Sequence, residues 1–179
     1  RVLFRSGVPQ DYAQARKWWE KAAAQGNAEA QVRLGKLYRD GHGVPTNYTQ
    51  MWKWYEKAAD QGNADAQVEL GGRYLWGNGV PQDYALSVRW YEKAATQGNA
   101  DAQSMLGMLY AGGQGVPQDD VRAYMWHHLA GTNSVGFQDE DRFRRIKHRD
   151  EVARRMTPAQ IAEAQRLAQQ CQARQFKGC

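Results

Sequence analysis

The 179 residues carry 42% hydrophobic and 24% charged side chains with a net charge of +5. No apolar run approaches the ~18 residues that a membrane span needs, and basic residues alternate with acids all along the chain. This excludes a spanning helix and leaves only a weak, nonspecific pull on polyanions.

Nothing at the start reads as a basic region with an apolar core and a cleavage site behind it. From Val8 the chain repeats itself. VPQDYAQARKWWEKAAAQGNAEAQ, from Val8 to Gln31, returns as VPTNYTQMWKWYEKAADQGNADAQ from Val44 and as VPQDYALSVRWYEKAATQGNADAQ from Val80. A degraded copy, VPQDDVRAYMWHHLAGTNSVG, opens at Val116, so the period is 36 residues without slippage. A fixed period of this length means stacked supersecondary units whose stability accrues between neighbours. Arg1 falls where an earlier unit should be ending, and RVLFRSG fits the unit poorly, so a fragment or mature form is expected.

Each unit opens on Val-Pro, where proline fixes its own φ and holds the preceding residue extended. Asp11, Asn47, Asp83 and Asp119 then stand where a helix N-cap is needed. The first helix of the second unit has Tyr48, Met51, Trp54, Tyr55, Ala58 and Ala59 at helical spacing on one broad face. Gln-Gly-Asn ends it: Gly26, Gly62 and Gly98 suit a left-handed residue after a C-terminus, and Asn27, Asn63 and Asn99 suit the next N-cap. Such a short turn predicts two antiparallel helices. The second helix carries Ala30, Leu34 and Tyr38, with Ala66, Leu70, Tyr74 and Ala102, Leu106, Tyr110 as equivalents. Gly35, Gly71 and Gly107 lie in its middle, where glycine costs about 1 kcal/mol against alanine. A ring of a partner helix is expected in the space they leave, and we assign it to the Trp18, Trp54 and Trp90 row.

After Ala130 the pattern fails. GTNSVGF replaces the turn, and residues 138–155 read as a highly charged helix with Phe143, Ile146 and Val152 as its apolar positions. Thr157-Pro158-Ala159-Gln160 starts a last helix with a capping threonine, and Ile161, Ala164, Leu167, Ala168 and Cys171 line one face of that helix. The predicted architecture is an all-α, right-handed α-solenoid of antiparallel helix pairs in a single domain. Its repeats are 8–43, 44–79 and 80–115, with a degenerate repeat at 116–156 and a capping helix at 157–176. The only cysteines, Cys171 and Cys179, could close a loop if the chain bends at Gly178; two free thiols is the plainer reading.

The chain resembles the SEL-one-like repeat family, relatives of the tetratricopeptide repeat. The resemblance rests on the period, the first-helix Trp-Tyr-x-Lys-Ala-Ala, Gly-Asn-Ala-x-Ala-Gln at the turn, Leu-Gly-x-x-Tyr in the second helix and Gly-x-Gly-Val between units. It covers residues 8 to about 130, and MTPAQIA from Met156 is similar to the C-terminal helix of bacterial members. The resemblance implies a protein-binding adaptor or scaffold of bacterial type; it favours a periplasmic or exported location, while the sequence itself leaves the compartment open.

Positions occupied alike in every unit serve the fold, so departures mark candidates for function. The register of Arg16, Trp52, Val88 and Tyr124 lies just beyond the buried arc of the first helix, and three of its four members are apolar. In related solenoids the first helices line the concave side, which would make this register the floor of a groove; packing between units is the alternative. Leu75 and Trp76 form an apolar pair beside a turn, with Pro81 of the next unit as an alternative packing partner. The expected partner contacts are Arg16, Trp52, Lys53, Arg73, Trp76, Val88 and Tyr124, taking a peptide or helix of another protein. A structural spacer or an oligomer interface is the other non-enzymatic reading.

Pairs such as Lys17 with Glu20 and Lys53 with Glu56 read as a solvated face. The basic run Arg142 to Arg149 is flanked by Asp139, Glu140, Asp141, Asp150 and Glu151, which argues against nucleic acid. Adjacent His127 and His128 point about 100° apart, and His42 and His148 stand alone in sequence, so no metal or other cofactor is expected. Some family members carry a β-lactam-binding or β-lactamase label. Here Ser6, Ser87, Ser104 and Ser134 have Pro, Trp, Gly and Phe three residues later, and no Lys-Thr-Gly occurs, so no hydrolytic machinery of that kind is present.

Overall fold

A computed structural model describes residues 11–132, 139–176 and 178–179. The RVLFRSG lead, Val8-Pro9, residues 133–137 of GTNSVGF and Gln138 lie outside the described residues. Those described form helices and no strand: α1 (Tyr12–Ala24), α2 (Ala28–Asp40), α3 (Tyr48–Asp60), α4 (Ala64–Trp76), α5 (Tyr84–Ala95), α6 (Ala100–Gly112), α7 (Asp120–Thr132), α8 (Asp139–Ala153) and α9 (Pro158–Ala173). The fold is all-α and built of successive helix pairs, in the class of α-solenoids.

Local signals set the helix ends. Asp11, Asn47, Asp83 and Asp119 each accept a hydrogen bond from the backbone N–H three residues on, at 2.9 to 3.0 Å. Asn27, Asn63 and Asn99 do the same for α2, α4 and α6 at 2.8 to 3.0 Å. Each satisfies a donor that the first helical turn leaves without an intrahelical acceptor. Gly26, Gly62 and Gly98 take φ of +87°, +89° and +82°, left-handed values that let the chain reverse within three residues. At α9 the Thr157 and Gln160 side chains cap reciprocally behind Pro158.

The chain divides into two compact units, residues 1–66 and 67–179. In the first, α2 packs on both α1 and α3. Buried Ala23, Ala30 and Leu34 form a cluster closed by Trp19, Ala22 and Trp54. The ring set into the mid-helix glycine is Tyr55, which is fully buried; a Cβ on Gly35 would stand 2.8 to 3.1 Å from three of its ring atoms. This corrects the tryptophan assignment by one residue. Trp54 points about 100° away, onto the alanine cluster, and Lys57 lies over its ring at 5.0 Å. Trp18, the same register in α1, is 61% exposed, with Lys21 at 5.2 Å. Tyr48, expected in the core, is 62% exposed.

The second unit repeats the device. Tyr91 sits over Gly71 and the His127 ring over Gly107, each glycine with three ring atoms within 2.8 Å of where a Cβ would be. Buried glutamines join the pairs. Gln103 donates to the Ala95 carbonyl at 3.2 Å, and Gln97 donates to the side-chain oxygen of Gln67 at 2.8 Å. In the first unit Gln31 likewise donates to Ala23 O at 3.2 Å and accepts from Gln61 at 2.7 Å. Gln31 and Gln103 thus give their buried amide groups a partner in last-turn carbonyls of the first helices, which also accept from the turn glycines Gly26 and Gly98.

Helices α8 and α9 both pack on α7. Ala164, Ala168 and Cys171 are buried on α9 as the sequence predicts, but α8 faces the core differently. Phe143 is 70% exposed, whereas Arg145 is 5% exposed and pairs with Asp101. Cys171 and Cys179 form a disulfide with Cα atoms 5.4 Å apart, so free thiols is not the state here. The bend that brings them together starts before Gly178, with positive φ at Gln175 and Phe176, and the Phe176 N–H returns to Cys171 O at 2.8 Å. Closing so short a loop restricts the unfolded chain by about 2–3 kcal/mol. Cys179→Ser, or reductant on the native chain, should lower the melting temperature by roughly 5 °C. An unchanged temperature in both would show that the cross-link contributes nothing.

Candidate functional site

Each expected contact residue has a defined place. In the first unit Arg16 is half-buried on α1 and pairs with Glu20 at 3.5 Å, an i, i+4 pair of modest strength. Trp52, in the same register on α3, is half-exposed, its ring 6.0 Å from that of Tyr55 and inclined at 57°. Lys53 beside it is exposed. Trp52 is thus steadied by a buried aromatic on one side and open to solvent on the other.

In the second unit two expectations fail. Val88 and Tyr124 are 4% and 6% exposed, so neither can serve as an open contact. On α5 the buried arc is wider than the alanine and aromatic positions alone suggest. Ser87 next to Val88 is fully buried and donates to Gly71 O at 2.9 Å, which draws that face of α5 inward. Tyr124 is enclosed where α9 packs on α7: its hydroxyl accepts from Gln165 Nε2 at 3.4 Å, and its ring stacks on His128 at 6.2 Å. The segment that departs from the repeat covers what the repeat alone would leave open.

Arg73 and Trp76 lie one turn apart on α4 and share a face. Trp76 is 66% exposed, Arg73 half-buried. Leu75 parts company with its neighbour: it is 4% exposed, and its carbonyl accepts from Gln82 Nε2 at 2.6 Å. Pro81, offered as a cover for the apolar pair, is itself exposed.

Sequence reasoning missed two polar groupings, both in the second unit. Arg122 Nη1 donates to the Tyr110 hydroxyl at 3.3 Å with its guanidinium 5.6 Å from the ring centre. Beside them burial lifts the Glu92 carboxyl above the usual range, against the pull of Arg122 and Arg89. The available signal was register: Arg122 stands where other units have Gln14, Gln50 and Leu86. The second grouping joins His127 on α7 to His148 on α8, ring centres 5.5 Å apart, although the two look isolated in sequence. Burial first, and the neighbouring His148 second, push the His127 pKa down to about 4.

Among the described residues no group of three or more His, Cys, Asp or Glu side chains is arranged to hold a metal ion. None of the described helices is long and apolar enough to cross a membrane. Of the serines weighed as nucleophiles, Ser87 spends its hydroxyl hydrogen on a backbone carbonyl, and Ser6 and Ser134 lie outside the described residues.

The Sel1 repeat family model matches residues 3–27, 28–63, 64–99 and 100–134, well over half of the chain. Among solved structures, a Sel1 repeat protein from Oxalobacter formigenes is 37% identical with a TM-score of 0.69, over 79% of this chain and 40% of the other. A protective antigen of uropathogenic Escherichia coli with an SLR fold, c5321, is 28% identical with a TM-score of 0.59, over 96% of this chain and 44% of its own. Helicobacter pylori cysteine rich protein B, 21% identical at a TM-score of 0.51, covers 68% of this chain and 92% of its own and shares the fold. No curated protein matches this chain, and it spans less than half the length of the first two structures. Its four matched segments, with the 36-residue period behind them, make this chain a member of the Sel1 repeat family.

Proposed function

We propose that this Sel1 repeat protein is a non-enzymatic adaptor that holds a peptide or helix of another protein against aromatic and basic side chains of its helices. The observation that carries this reading is Trp76. It is 66% exposed one turn from Arg73, at a register where the other units have Asp40 and Gly112, so the fold does not require it. An exposed tryptophan beside an arginine on a rigid helix is the composition of an interface anchor, and its presentation costs little ordering on binding. Trp52 with Lys53 and Arg16 provides a patch of the same chemistry in the first unit. Of the contacts expected from sequence, Arg16, Trp52, Lys53, Arg73 and Trp76 stay in this proposal; Val88 and Tyr124 leave it. The Cys171–Cys179 disulfide supports an oxidising compartment as the place of work.

The test is a photo-crosslinking amino acid placed at position 76 and, as a control, at exposed Gln169, in the source cell. One protein should be captured from position 76 and not from 169. Trp76→Ala should weaken that partner's binding roughly tenfold or more with helical circular dichroism unchanged. Identical adducts from both positions, or a partner indifferent to Trp76→Ala, would remove the adaptor reading. A chain that captures only copies of itself would replace it with the oligomer interface.

A further inference from the structure

The register rule that exposes Trp76 also singles out His127. The fold places Tyr55 and Tyr91 over the glycines of α2 and α4, yet places an imidazole over Gly107. Helix α8, which departs from the repeat altogether, sets a second imidazole, His148, with its ring centre 5.5 Å away. The Nδ1 atoms of both rings are buried and have no hydrogen-bond partner. His127 is 2% exposed, so its Nδ1 has given up water for nothing that the protein supplies. A buried polar atom left unsatisfied costs about 1–3 kcal/mol, and two in neighbouring rings at one place call for a common explanation.

Both imidazoles line one pocket of about 370 Å³ between α6, α7 and α8, and Met108 lines it with them. Met108 is 45% exposed, and its register holds Lys36 and Gly72 in the other units, so the core does not require a thioether there. Glu151 and Arg155 stand at the same pocket. Glu151 reaches toward Lys147 at 3.9 Å, and Arg155 is paired with Asp120.

We propose that His127, His148 and Met108 form a binding site for a soft monovalent cation of the Cu(I) class. Imidazole and thioether are donors suited to Cu(I), whereas hard divalent ions want carboxylates and carbonyls. The absence, among the described residues, of any three-donor set of His, Cys, Asp and Glu argues against a tetrahedral zinc site and leaves a low-coordinate soft ion. Ring centres 5.5 Å apart suit two imidazoles sharing one ion at about 2.0 Å with a roughly trigonal angle between them. Burial and the neighbouring ring also keep His127 neutral at physiological pH, the form in which imidazole is a ligand.

Ag(I), a redox-silent ion of the same class, is the probe. The purified chain, disulfide intact, is titrated with Ag(I) alone at pH 7, tracking melting temperature and imidazole ¹⁵N shifts. One equivalent should saturate the protein, raise the melting temperature and move the Nδ1 resonances of His127 and His148 together. His148→Ala and Met108→Leu alter the less buried donors and leave the Gly107 packing intact; each should weaken Ag(I) binding roughly tenfold or more. Binding by His148→Ala equal to that of the native chain would overturn the site. So would Ag(I) shifts centred on His42 or on other methionines. An equal response to Zn(II) would overturn the soft-ion assignment.

Discussion

Lowering the pH from 7 to 5 should destabilise this protein by about 2 kcal/mol, and His127 should account for most of the loss. Burial holds its pKa at about 4, against 6.5 for an ordinary histidine. The folded state therefore refuses a proton that the unfolded chain accepts. Stability is fully present above pH 6.5, falls as the pH drops through that value, and levels off near pH 4 after a total of about 3 kcal/mol. His128, half-buried and also lowered by burial, acts in the same direction. Glu92 acts oppositely, because burial raises its carboxyl pKa, so its folded form takes up a proton more readily than its unfolded form. It therefore offsets part of the His127 loss as the pH crosses the window from 7 to 5. Urea midpoints across that window provide the measurement. The decisive variant is His127→Tyr, since tyrosine occupies the equivalent place in α3 and α5 and is expected to fold there. It should flatten the pH dependence between 7 and 5 whatever its absolute stability; an unchanged slope would clear His127 of the effect.

The same residue shows what a single sequence can and cannot reveal. Caps such as Asp11 and Asn99 were legible because the bond they make is local, from a side chain to the N–H three residues on. The period made the helix pairs legible for a similar reason, since every unit restates the same turn chemistry. What the pattern leaves undetermined is the choice between two adjacent apolar residues. Trp54 and Tyr55 both fall within a broad buried face, and only the position of α2 decides that Tyr55 meets Gly35. Long-range covers were invisible for a different reason. Tyr124 is enclosed by Gln165 from 41 residues away, and Arg145 is drawn inward by Asp101 from 44 residues away. A charged helix gives no periodic hint that one of its arginines is buried while its phenylalanine is not. The candidate contacts were legible only as departures from the repeat. That criterion kept Trp52 and Trp76 but could not separate them from Val88, whose departure serves packing.

The choice of ring has a sharp consequence at Gly71 and Gly72, neighbours on α4. Gly71→Ala should destabilise the protein by about 2–3 kcal/mol, and Gly72→Ala should stabilise it by about 0.5–1 kcal/mol. Both substitutions gain the same helix propensity, since glycine costs up to about 1 kcal/mol against alanine at either position. They differ in what the new methyl meets. At Gly71 it would stand 2.7 to 2.8 Å from three ring atoms of Tyr91, which is 3% exposed and has nowhere to retreat. At Gly72 the nearest atom is the Tyr91 hydroxyl oxygen at 3.6 Å, an ordinary contact. Thermal unfolding should therefore show a fall of roughly 5–10 °C for the first and a rise of about 2 °C for the second. Combining Gly71→Ala with Tyr91→Leu separates a clash with the ring from any other cost of the methyl. If the ring is the cause, the alanine should become neutral or favourable once the ring is gone. A Gly71→Ala protein as stable as the native chain would mean that Tyr91 does not rest on that glycine. The interlocking of ring and glycine that recurs at Gly35 and Gly107 would then lose its energetic basis.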